Sequence, residues 1–283
     1  MLKGRIKSIN STKYLVDVND TIYDCTVRGI FRKKKLTPLV GDYVEINEKD
    51  LQIVEILPRN NFLKRPNIAN VDYAVIITSV KKPDLDLNLL DKMLVMINAY
   101  NVKPIICFSK IDLLTQDEYQ NYLKIKDYYK NIGIKVLENT EIDELKKTLS
   151  GKVATLCGQT GAGKSSLLNK IDGSLGLETN PISESLNRGV HTTRYVSLYK
   201  FEDFYIADTP GFSSLTFEEL DEETIRSGFI EFQKYDCAYR DCSHINTDGC
   251  KIENNNDILA SRYTNYVKFI KEYHEDSSKL FKK

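Results

Sequence analysis

The sequence has no tryptophan, only three histidines and three methionines, and no excess of either charge: 40 Lys/Arg balance 40 Asp/Glu over 283 residues. A net charge of zero excludes the whole-molecule field that drives unspecific association with nucleic acid. No apolar run approaches the ~20 residues needed to span a bilayer, so no membrane partner is expected. The opening Met1-Leu2-Lys3-Gly4-Arg5 lacks the apolar stretch of a secretory signal. The expectation is a cytoplasmic protein whose thiols stay reduced. Its six cysteines are therefore read as buried residues or metal ligands, not as a disulfide framework. Internal repeats and low-complexity tracts are also missing. What remains is a chain long enough for one to three domains with a real core. Its charge is unevenly spread, with nine Lys/Arg against three Asp in residues 1–35.

Residues 1–60 read as β. Gly4–Ile9, Lys13–Val18, Thr21–Val27, Asp42–Ile46 and Gln52–Ile56 are short, partly alternating runs separated by turn residues at Asn10-Ser11, Asn19-Asp20, Gly41-Asp42 and Glu48-Lys49-Asp50. Five such strands suit a small barrel of the OB-fold type, a frequent oligonucleotide binder. Arg28 to Lys35 joins a basic cluster to Phe31, which suits phosphate contact plus base stacking, though a solvated charged loop reads equally well. Pro58 to Asn67 looks like a linker. Beyond it, apolar strands at 71–78, 104–108 and 135–137 alternate with helices at 87–100, 119–129 and 142–149, the pattern of a parallel α/β sheet. A hairpin follows over 194–207, and helices over 215–235 and 257–273.

The strongest signal is Gly158-Gln159-Thr160-Gly161-Ala162-Gly163-Lys164-Ser165, a match to G-x-x-x-x-G-K-[ST]. The apolar run Val153–Cys157 precedes it, and Ser166–Lys170 follows with helical character. Glycines let the backbone turn tightly, and successive N–H groups then converge on phosphate oxygens at a helix N-terminus. Lys164 is expected to reach the β- and γ-phosphates and the Ser165 hydroxyl to ligate Mg²⁺. Asp208-Thr209-Pro210-Gly211 ends a later apolar strand. Asp208 is placed to hold Mg²⁺ through its water shell, and the Gly211 N–H to meet a γ-phosphate. Gly189-Val190-His191-Thr192-Thr193-Arg194 lies between these two, where a switch threonine completes Mg²⁺ coordination; Thr192 is the first choice and Thr193 the second.

Ser109-Lys110-Ile111-Asp112, after the strand ending at Phe108, resembles the Asn-Lys-x-Asp segment with which GTPases read guanine. Its Asp accepts two hydrogen bonds from the base's N–H edge, and the Lys stem lies over the ring. Such a site rejects a base that leaves its polar groups unpaired. Ser109 replaces the usual Asn, which removes one supporting hydrogen bond. Asn139-Thr140 stands where a second base-contacting loop falls. In ordinary GTPases the phosphate loop comes first and the guanine segment last, whereas here Asp112 precedes Gly158. The order is that of a circularly permuted GTPase, tolerable because domain termini often lie close together.

Cys237-x4-Cys242-x-His244-x5-Cys250 places half the cysteines within fourteen positions. Three thiolates and one imidazole make a closed tetrahedral zinc set, structural because no coordination position is left open. Around it Ile258, Leu259, Tyr263, Tyr266, Val267 and Ile270 form an apolar stripe.

On these residues the chain resembles the bacterial small-ribosomal-subunit biogenesis GTPases of the RsgA (YjeQ/YloQ) family over nearly its whole length. The resemblance implies a multidomain α/β protein. An OB-fold β-barrel (1–62) would bind RNA, a circularly permuted P-loop GTPase domain (66–218) would follow, and a C-terminal helical zinc-binding domain (219–283) would end it. It implies binding of GTP and GDP, of the 30S ribosomal subunit and of 16S rRNA, with Mg²⁺ beside the nucleotide and one structural Zn²⁺. GTP hydrolysis would be stimulated by the subunit. In this family a hydrophobic residue replaces the water-positioning Gln, and Phe212 fits that pattern. The switch histidine proposed to position water maps onto His191. Val190 stands where the family's switch usually carries Arg, with Arg188 or Arg194 as substitutes. The resulting expectation is a monomeric GTPase in late 30S maturation, with His191, Thr192 and Lys164 as its catalytic groups. The alternatives are an RNA-binding assembly factor with nucleotide as a structural element, or a P-loop small-molecule kinase.

Overall fold

Alternating residues at the start of the chain fold into the five expected strands: β1 (Leu2–Asn10), β2 (Lys13–Val18), β3 (Thr21–Val27), β4 (Tyr43–Asn47) and β5 (Gln52–Ile56). The β1–β2–β3 meander is antiparallel, β3 pairs parallel with β5, β5 antiparallel with β4, and β4 returns to β1. That order closes a five-stranded barrel of the OB type. Asn19 and Asp20 form the two-residue β2–β3 turn with φ of 48° and 69°, a conformation that short polar side chains tolerate. The inward residues Ile6, Val16, Cys25, Val44, Ile46 and Ile53 form the barrel core. Gly4 permits the tight β1–β2 approach, since a Cβ there would lie 2.6 Å from the Asp17 carbonyl oxygen.

The computed structural model describes residues 1–27, 31, 36–64, 67–173, 196–208, 217 and 220–280. Two expectations for this end of the chain are corrected. Phe31 is 6% exposed and packs into the barrel core, so its ring is not offered to a nucleobase. In place of the expected linker the chain forms a short hairpin, β6 (Phe62–Lys64) with β7 (Asn67–Ala69). Arg59 makes a two-pronged pair with buried Asp42, both contacts at 2.7 Å. Asn60, Asn61, Asn70 and Val71 exchange side-chain to backbone bonds of 2.8–3.0 Å. Polar residues that read as solvated spacer are thus fixed by bonds that hydropathy does not register.

Two units emerge from the contacts: Met1–Val75 with Thr140–Ser213, and Ile76–Asn139 with Ser214–Lys283. In the first, β11 (Val153–Gly158) pairs parallel with β13 (Phe204–Asp208), β13 antiparallel with β12 (Ser197–Phe201), and β12 antiparallel with barrel strand β1 at Ser8–Ser197. One sheet therefore runs from the strand that ends in the glycine-rich loop into the barrel. This unit also carries α3 (Ile142–Leu149) and α4 (Lys164–Ile171).

The second unit contains β8 (Tyr73–Ser79, from Ile76 onward), β9 (Lys103–Ser109) and β10 (Lys135–Glu138), with β9 between the other two. The helices α1 (Leu87–Ala99) and α2 (Gln116–Asn131) accompany them, followed by α5 (Glu222–Ser227) and α6 (Ala260–Leu280). The helix expected over 215–235 is shorter in its described part, capped by Asp221 and continued as a 3-10 turn over Ile230–Lys234. Val95 and Met96 of α1 pack with Phe217, Ile225, Phe229, Phe232, Ile252, Ile258, Tyr266, Phe269 and Ile270.

An ionic cluster lies inside this unit. Fully buried Arg262 donates to Glu231 at 2.7 and 2.8 Å and to Asp91 at 2.9 Å, over the Phe229 ring. Tyr129 and Asn265 each donate to Asp91 at 2.6 Å, and Tyr128 to Glu231 at 3.1 Å. Four elements meet on one guanidinium. No helix among the described residues is long and apolar enough to cross a membrane.

Candidate functional site

Gly158, Gly161 and Gly163 adopt φ of 134°, 78° and 102°, which a residue with a Cβ reaches only under strain. The glycine spacing is thus a requirement of the backbone between β11 and α4. The Ala162 N–H closes the loop on the Gln159 carbonyl at 3.1 Å. The Lys164 ammonium donates to the Gly158 and Gln159 carbonyls at 2.7 and 2.9 Å, which holds it on the loop's own backbone. Burial lowers its pKa from the ordinary lysine value. Cys157, just before the loop, is buried, and its thiol is pushed up to about 12. It is a packing residue, not a nucleophile. Ser165 and Ser166 fall in the first turn of α4, Ser165 buried, while Thr160 and Gly161 are exposed. The strand ending at Asp208 runs parallel to β11, with Thr155 opposite Ala207. His191, Thr192, Gly211 and Phe212 lie outside the described residues.

In the second unit, Ser109 closes β9, Lys110 turns at φ 60°, and Ile111–Leu113 form a 3-10 turn. Ser109 is 1% exposed, and its hydroxyl donates to the Thr78 carbonyl at 3.4 Å. Asp112 is exposed and Ile111 half-buried. The Asn139 N–H donates to the Phe108 carbonyl at 2.8 Å, so the end of β10 lies beside the start of this segment. Sequence reasoning missed the neighbours of Lys110: its ammonium bonds the Lys82 carbonyl, and Lys81 binds both oxygens of Glu118 at 2.8 and 2.6 Å. Lys81 holds the Glu118 carboxyl down at about 2. Part of this was readable, because Thr115-x-x-Glu118 is a capping box at the start of α2.

The ligand atoms of Cys237, Cys242, His244 and Cys250 all lie within 4.8 Å of one another. The Sγ atoms of Cys237 and Cys250 stand 3.6 and 3.7 Å from His244 Nδ1. Backbone N–H groups of Lys251, Ile252 and Glu253 point at the sulfurs of Cys237 and Cys250, each at 3.4 Å, as befits thiolate ligands. Burial, and then the charge of Arg226, lowers the His244 pKa, which favours the neutral imidazole that binds metal. Tyr263 and Tyr266 donate to the His244 and Ser243 carbonyls at 2.9 and 2.6 Å, tying the knuckle to α6. The donor set fits a closed structural metal centre.

A family model described as RsgA GTPase matches residues 56–218, and one described as RsgA N-terminal domain matches residues 3–53. "Small ribosomal subunit biogenesis GTPase RsgA 2" of Listeria monocytogenes is 41% identical, over 96% of this chain and 97% of that one. Its namesake from Oceanobacillus iheyensis is 42% identical over the same shares. Among solved structures, YloQ, described as a circularly permuted GTPase, superposes with a TM-score of 0.84 and 34% identity, over 98% of this chain and 96% of its own. YjeQ from Thermotoga maritima gives 0.82 and 30%, over 96% and 98%. Full-length likeness, a five-stranded barrel and a Ser109–Asp112 segment that precedes the glycine-rich loop converge: the chain belongs to the RsgA family of circularly permuted GTPases.

Proposed function

We propose that this protein hydrolyses GTP to GDP and phosphate and acts in late maturation of the 30S ribosomal subunit, with its barrel on 16S rRNA. Full-length identity of about two in five to small-subunit biogenesis GTPases carries the reading. The phosphate-loop conformation and the presence of both nucleotide motifs in one chain support it.

In this reading the Gly158–Ser166 backbone and Lys164 hold the phosphates of the nucleotide whose base is read by Lys110 and Asp112. Lys164 balances charge that builds on the β–γ bridge as the bond to the γ-phosphorus breaks. Ser165, Thr192 and Asp208 are the residues that would organise Mg²⁺, which draws negative charge off the phosphates when bound. The Gly211 N–H meets the γ-phosphate. Phe212 offers no hydrogen bond to the attacking water, so His191 or a group on the subunit orients it. Slow intrinsic turnover that rises on the subunit follows. Cys237, Cys242, His244 and Cys250 hold one structural Zn²⁺. The protein acts as a cytoplasmic monomer divided near residues 62–66 and 218.

The test is GTP turnover by the full-length protein with and without purified 30S subunits. A rise of at least about tenfold is expected if the subunit completes the water-positioning set, and Lys164→Ala should abolish both rates. Equal turnover with and without subunits would overturn the activation reading.

A further inference from the structure

Ser109 stands where a guanine-reading segment ordinarily has asparagine, and its hydroxyl is occupied inside the sheet, on the Thr78 carbonyl. The chain leaving β8 braces the loop that Ser109 opens. The Val80 N–H donates to the Ser109 carbonyl at 3.1 Å. The Ser79 hydroxyl donates to the Lys81 carbonyl at 2.7 Å and fixes the next turn. From that turn the Lys82 carbonyl takes the Lys110 ammonium, while the Lys81 ammonium grips Glu118. Glu118 also accepts from the Thr115 N–H at 2.7 Å, closing the cap of α2 just after the 3-10 turn that carries Asp112. Both flanks of the Ser109–Asp112 segment are therefore tied to one short stretch, residues 79–82.

We infer that Lys81 is a positioning residue for base recognition, which, through Glu118, holds the Asp112 carboxylate where it accepts both N–H donors of a guanine. The inference rests on the reading of Asp112 as the guanine acceptor. Two hydrogen bonds to one carboxylate demand tighter placement than one. Loosening the α2 cap should therefore harm guanine, with its ring N–H and 2-amino group, more than hypoxanthine, which lacks the 2-amino group.

The test measures mant-GDP affinity, and GTP and ITP kinetics, on the full-length protein. Lys81→Met should weaken mant-GDP by about 2- to 5-fold, the range of an exposed ion pair. The loss should fall on KM and not on kcat, and the GTP-to-ITP preference should shrink. Lys81→Arg should restore all three. Glu118→Gln should match Lys81→Met, and the double variant should add nothing further. An unchanged GTP-to-ITP ratio in Lys81→Met, or a loss that Arg does not rescue, overturns the inference. Asp112→Asn is run beside these and should exchange GTP for XTP, whose 2-oxo group accepts from an amide. If it does not, the reading of Asp112 falls and the inference with it. If it does while Lys81→Met changes nothing, the inference alone falls.

Discussion

Replacing Arg262 with Met should be among the most damaging single changes in the molecule. The guanidinium is fully buried and bonds two carboxylates, Asp91 and Glu231, that are 0% and 3% exposed. Met fills much of the volume but leaves both carboxylates without their cation. Asp91 keeps the Tyr129 hydroxyl and the Asn265 amide, and Glu231 keeps the Tyr128 hydroxyl, so neither is stripped bare. Removing one partner of a buried pair costs about 3–5 kcal/mol. At about 2–4 °C per kcal/mol, that lowers the melting temperature by about 6–20 °C. Differential scanning calorimetry reads the shift directly. The charge-free variant Arg262→Met/Asp91→Asn/Glu231→Gln should recover part of it, because no unpaired ion remains buried. A single variant melting within about 2 °C of the parent would refute the reasoning.

Phe31→Ala should cost about 3–5 kcal/mol of barrel stability; weaker binding to rRNA at an unchanged melting temperature would instead restore the stacking role. Stability should fall as pH rises above about 10, because burial raises the pKa values of Tyr129 and Tyr266 from their ordinary 10.0. The phenols then ionise in the open chain while staying neutral in the fold, and urea midpoints across that range test the sign. Mercurial titration of the thiols should release one zinc ion per chain, and Cys250→Ser should abolish that release; a chain that releases none would contradict the closed metal centre.

How much of this was legible depends on whether a feature is periodic or dispersed. The barrel strands, α3 over 142–149 and the glycine-rich loop follow from alternation, helical spacing and fixed glycine positions, and the structure has them where expected. The Cys/His set is local and was equally visible. Phe31 misled because a basic aromatic run looks the same whether its ring faces solvent or a barrel core. The Arg59–Asp42 pair and the asparagine bonds turned an apparent linker into a fixed hairpin, since side-chain to backbone bonding leaves no trace in hydropathy. Arg262, Asp91 and Glu231 come from three distant parts of the chain, and no spacing rule joins them. Lys81 escaped for the same reason: its partner Glu118 lies across an intervening helix and strand, although the cap that Glu118 completes was readable.

On the proposed function, bound nucleotide should govern association with the small ribosomal subunit. Co-sedimentation of the full-length protein with purified 30S subunits, in GDP or in a non-hydrolysable GTP analogue, tests it most directly. The protein should pellet with subunits in the analogue and remain largely in the supernatant with GDP. Equal pelleting in both nucleotides, or none in either, would contradict it.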